Sequence, residues 1–67
     1  MSKQWKVRQL VEKPLNGRAT GRMKFDLHPG DTFVSLEADD RPAQPGHTFG
    51  TAWGQLLWVP TDCLKAA

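Results

Sequence analysis

Glycines, prolines and turn-forming pairs interrupt this chain so often that no segment is left for a stable helix. Pro14, Asn16-Gly17, Gly21, Pro29-Gly30, Pro42, Pro45-Gly46, Gly50, Gly54 and Pro60 follow one another at short intervals. An isolated helix needs about 12–15 residues to be even marginally stable in water. Between the breaks lie short alternating runs rich in β-branched and aromatic residues, which read as strands. The expected class is therefore all-β, one domain over residues 1–67, with no repeats, low-complexity tract or linker.

The runs place five strands. The first covers residues 4–11, with Trp5 and Val7 on one face and Lys6, Arg8 and Leu10 on the other. Asn16-Gly17 then marks a hairpin tip over residues 13–18, since this pair accepts the positive φ of tight turns. The return segment, residues 19–27, carries Met23, Phe25 and Leu27 at period two. His28-Pro29-Gly30-Asp31 reads as a type II turn: proline presets φ at its second position and glycine supplies positive φ at its third. Residues 32–38 form the next strand, where Val34 and Leu36 share a face and Phe33 opposes them, on a bulge or a second apolar surface. Residues 39–46 read as an exposed loop. Residues 47–53 and 55–60 make a last hairpin around Gly54.

With 67 residues and one cysteine, stability is the difficulty. A domain this small buries only about 60% of its unfolded surface. No internal disulfide is available, and His28, His47 and Cys63 cannot complete a four-ligand zinc site. Three tryptophans and three phenylalanines must then supply much of the core, with self-association as an open alternative. No run reaches membrane-spanning length, and charges occupy the place of a signal peptide's apolar stretch. With a lone thiol, the expectation is a cytoplasmic protein.

Charge is distributed unevenly. Residues 1–24 hold seven cations against Glu12, whereas residues 25–67 hold Arg41 and Lys65 against six carboxylates. The basic half is suited to acidic partners or phosphates, unless the halves neutralise each other across neighbouring strands.

Two segments carry a resemblance. Phe25-Asp26-Leu27-His28-Pro29-Gly30-Asp31, followed by residues 33–37, resembles the diverging-turn pattern of SH3 domains. Leu57-Trp58-Val59-Pro60-Thr61-Asp62-Cys63-Leu64 is similar to the end of that family, where the proline opens a 3₁₀ turn before a short closing strand. The resemblance implies a five-stranded SH3-like barrel with a 3₁₀ turn near the C-terminus. It implies that Leu57 and Val59 are buried while Pro60 turns the chain so that Leu64 seals the open end. SH3 domains bind proline-rich peptides in tyrosine-lined grooves beside an acidic loop. This chain has no tyrosine, Cys63 stands at the motif's last tyrosine, and the first loop carries Lys13 and Arg18 instead of carboxylates. Of the family's binding residues only Trp58 and Pro60 carry over, so the implied partner is neutral or acidic.

Alternation points Trp58 away from Leu57 and Val59. It either projects as a contact residue, the favoured reading, or covers a second small core beneath the first hairpin; Trp5 and Trp53 read as structural. Asp62 beside Cys63 opposes thiolate formation. His28 and His47 have no Ser or Cys partner close in sequence, and Asp39-Asp40 reads as a solvated loop tip. Plasmid-borne type II dihydrofolate reductases are short SH3-like chains too. Gln55-Leu56-Leu57-Trp58-Val59-Pro60 is similar to their "Val-Gln-Ile-Tyr-Pro" in placement only, so their active pore does not carry across.

The expectation is a non-catalytic protein-binding module without cofactor or metal: an adaptor, inhibitor or assembly subunit of the small bacterial or phage kind. Its contact residues are Trp58, Phe33, Arg18, Arg22 and Pro60. The alternative is a nucleic-acid-binding barrel using Lys6, Arg8, Arg18, Arg22 and Lys24.

Overall fold

The last apolar run forms an interior strand of an antiparallel sheet, one place in from its edge. The computed structural model describes residues 2–37 and 44–67. Among these residues six strands occur: β1 (Lys3–Val7), β2 (Leu15–Asn16), β3 (Thr32–Ser35), β4 (His47–Ala52), β5 (Gln55–Pro60) and β6 (Leu64–Ala66). All neighbours are antiparallel, in the order β2-β5-β4-β3-β1-β6, so β2 and β6 are edges and the sheet does not close. The expected count of five is corrected to six. Two strands are additional, the closing β6 and β2, whose Leu15 and Asn16 lie against Trp58 and Leu57, while the strand expected over 19–27 does not form.

The strands are shorter than their alternating patterns. The first ends at Val7 and the third stops at Ser35, not at 11 and 38. Residues 19–27 form no strand; the first loop is an irregular hairpin held by separate rungs. Val11 and Leu27 exchange two backbone hydrogen bonds of 2.9 Å, Met23 N donates to the Pro14 carbonyl, and Asn16 N donates to that of Gly21. Pro14 has no N–H to give, and Lys13 adopts φ 41°, so a continuous ladder cannot pass this point. The turn forms one residue later than the Asn16-Gly17 pair itself: Ala19 N donates to the Asn16 carbonyl at 2.8 Å around Gly17 and Arg18. Asn16 remains in strand, its side-chain oxygen accepts the amides of Arg18 and Thr20, and Ala19 takes the left-handed position at φ 56°. Asparagine acts here through its side chain, as in an Asx turn.

The other two turns match their sequences. Asp31 N donates to the His28 carbonyl at 3.0 Å, with Gly30 at φ 96°. Asp31 closes the loop again by accepting the His28 amide on Oδ2 at 2.8 Å. Gly30 N donates to the Val7 carbonyl and Val7 N to that of Asp31, which fastens the turn to β1. Between β4 and β5 the ladder ends at Ala52 opposite Gln55, leaving Trp53 (φ 55°) and Gly54 (φ 73°) as a two-residue turn. Two positive φ values are the type I′ geometry that follows strand twist.

The core gathers Val7, Val11, Leu27, Phe33, Leu57, Val59 and Leu64 on one face of the sheet. Each such side chain contributes about 1.5–3 kcal/mol by leaving water. Phe33 is fully enclosed there, while Val34 and Leu36 are half-buried and exposed. The expected facing of this strand is thus inverted. Room for Phe33 comes from Gly50, where an added Cβ would lie 2.6 Å from Phe33 Cζ. After β5, Pro60 leads into a 3₁₀ turn (Thr61–Cys63), and Leu64 pairs with Val7 at the other edge. This return agrees with the sequence expectation.

Candidate functional site

Trp58 lies on the face opposite the main core, yet only 4% of it is exposed. Its ring packs against Phe49 across the β4–β5 ladder, centroids 5.2 Å apart and planes tilted by 48°. Its indole N–H donates to the Gly17 carbonyl at 3.0 Å, so the first loop forms a roof over it. The expectation that Trp58 projects from the sheet is corrected: the second small core beneath the first hairpin is what forms. Phe33 is enclosed on the other side of the sheet, so the two rings share no surface. Pro60 is half-buried, and Arg18 and Arg22 are exposed.

The ring that does face solvent is Trp53, 68% exposed at the hairpin tip. The expectation that it is structural is corrected too. A left-handed φ costs an L-residue with a Cβ roughly 1–2 kcal/mol, and bulky residues rarely adopt it. On one side of Trp53 lies a shallow depression it shares with Gly30, Asp31 and Thr32, about 380 Å³ in volume. On the other side, the hairpin's Gly54, Gln55 and Leu56 face Arg18 and Met23 of the first loop across an open groove of about 480 Å³. Leu56 is 44% exposed, so an apolar side chain and a guanidinium share this groove. Sequence reasoning passed over Trp53 because it treated the turn as a property of Gly54. The signal was present: the residue before the glycine of a two-residue hairpin turn points outward.

Lys3, Arg8, Lys13, Arg18, Arg22, Lys24 and Lys65 are exposed and Lys6 is half-buried. Two carboxylates are engaged by backbone amides: Asp26 accepts from Lys13 N and Asp31 from His28 N. Lys6 stands directly opposite Lys65 across β1–β6, and its Nζ donates to Thr32 Oγ1 at 2.9 Å. Like charges placed directly opposite are unfavourable. Arg8 and Lys24 are exposed, Lys3 Nζ lies 4.3 Å from the Trp5 ring centroid, and Arg22 donates to the Lys13 carbonyl. The predicted cations therefore fall in two groups, Lys6 and Arg8 at β1 and the rest on the first loop.

Groups with catalytic potential are dispersed. Cys63 is buried with the Gln9 amide 3.4 Å from its sulfur, and His47 Nδ1 lies 2.9 Å from the Pro45 carbonyl oxygen. Asp39 and Asp40 lie outside the described residues. Among the described residues no three His, Cys, Asp or Glu side chains converge as metal ligands, and no helix is long and apolar enough to cross a membrane. No protein-family model, curated protein or solved structure gives a significant match to this chain.

Proposed function

We propose that this chain is a non-catalytic binding module of SH3-like architecture whose contact surface centres on Trp53. The architecture is supported by the run β6-β1-β3-β4-β5, by the Gly30-Asp31 turn that leads into β3, and by the 3₁₀ turn between β5 and β6. One observation carries the functional reading: the largest exposed apolar side chain sits in an unfavourable backbone conformation at a turn where asparagine or glycine fits better. Backbone strain of this kind, on a side chain the core does not use, is suited to contact with a partner. Arg18 in the groove and the opposed Lys6 and Lys65 give the surface a preference for neutral or acidic partners.

The test compares Trp53→Asn with the native chain. Relief of the left-handed strain and loss of the ring's partial burial are each worth about 1–2 kcal/mol and oppose one another, so urea unfolding shifts little. Recovery of bound protein and nucleic acid from the native host, scored by quantitative mass spectrometry and by sequencing, drops sharply. A large loss of stability, or unchanged recovery, removes Trp53 from the contact surface.

A further inference from the structure

We infer that the partner of the Trp53 surface is single-stranded nucleic acid, with a base stacked on Trp53 and phosphates held by Lys6 and Lys65 on one side and by Arg18 on the other. The inference rests on the reading of the chain as a binding module and names its ligand. Continuity across the surface supports it. Trp53 borders Thr32, whose hydroxyl accepts Lys6 Nζ, and Lys65 stands opposite Lys6. In the other direction, Gly54 and Gln55 lead from Trp53 to the groove that holds Arg18. Cations thus flank an exposed ring on both sides, the arrangement that binds single strands by stacking and backbone neutralisation together.

A folded protein partner fits less well. An aromatic anchor at a protein interface is ringed by contacts that exclude water. Trp53 instead borders Gly30, Asp31 and Thr32, all small or polar, so its ring stands clear on that side. The only carboxylate lining either depression among the described residues is Asp31, and its Oδ2 is held by the His28 amide within the turn. The molecule measures 29 × 27 × 22 Å, so such a track serves roughly four nucleotides, the low end for small nucleic-acid-binding barrels. A projecting indole stacks on an unpaired base and has no base face to meet in a closed duplex.

The experiment is fluorescence anisotropy with a labelled oligothymidine, an oligouridine and a duplex of equal length, across a salt series. The expected result is tighter binding of the single strands than of the duplex. Three phosphate contacts predict a log–log salt slope of about −2. Trp53→Ala lowers affinity roughly 5- to 150-fold and leaves that slope unchanged. Joint Lys6→Gln and Lys65→Gln substitution reduces its magnitude by about 1.4. Circular dichroism of each variant verifies that it folds. The inference is overturned by no saturable binding at the lowest salt, by equal binding of the duplex, or by affinity insensitive to Trp53→Ala. If oligonucleotides fail while a protein is still recovered through Trp53, the ligand class is wrong and the binding module stands. If Trp53→Asn also proves strongly destabilising, both readings fall.

Discussion

The indole of Trp58 donates its hydrogen to the carbonyl of Gly17, 41 residues earlier in the chain. This one bond joins β5 to the first loop and decides which tryptophan the protein shows to solvent. With Trp58 roofed over, the exposed aromatic surface moves to the hairpin tip and Trp53. Phe49 completes the enclosure from β4. Both faces of β5 are consequently covered, and Leu57, Trp58 and Val59 are all buried.

Truncating Trp58 therefore injures the fold. Trp58→Ala is expected to cost about 3–5 kcal/mol, as for other large-to-small core changes. Trp58→Phe keeps most of the ring volume but strands the Gly17 carbonyl, and is expected to cost about 1–3 kcal/mol. Urea unfolding of both variants beside Trp53→Asn separates the structural tryptophan from the exposed one.

Gly50 is irreplaceable by alanine for a steric reason. A Cβ there meets the Val34 carbonyl oxygen, lies 2.6 Å from Phe33 Cζ and 2.8 Å from Ser35 Cα, and two of these three are backbone atoms that cannot yield cheaply. Gly50→Ala is expected to destabilise by about 1–3 kcal/mol or more through overpacking. A lowered thermal midpoint with loss of near-ultraviolet dichroism from the buried rings is the readout.

At the turn before β3, the Asp31 side chain replaces a missing backbone acceptor. Asp31→Ala leaves the His28 amide without its 2.8 Å partner and is expected to cost about 0.5–1.5 kcal/mol. Asp31→Asn retains a side-chain oxygen and is expected to recover most of that loss. Equal destabilisation by the two changes would show that the charge, not the acceptor, is what matters.

The opposed Lys6 and Lys65 give a prediction in which stability and binding move apart. Lys65→Glu turns a like-charge cross-strand pair into an attractive one and is expected to raise stability by about 0.2–1 kcal/mol. The same change weakens oligonucleotide binding and flattens its salt dependence. Paired denaturation and anisotropy measurements check both directions.

Local chemistry was legible in the residues alone. Frequent punctuation excluded helices, Pro29-Gly30 announced its turn, Gly54 located the last hairpin, and Pro60 marked where the final apolar run breaks and returns. Each follows from φ limits or from period-two alternation, which the chain imposes within a few residues of itself. The assignment of faces belonged to the tertiary structure. Phe33 looked like the odd residue of its strand and is instead its core member, because Gly50 on the neighbouring strand leaves space beneath it. Trp58 looked outward and is enclosed, because a loop 41 residues away is laid along the free edge of β5. Alternation states which side chains oppose one another, but not which side is covered. That depends on strand order and on where the first loop folds, both set by contacts between residues far apart in the chain.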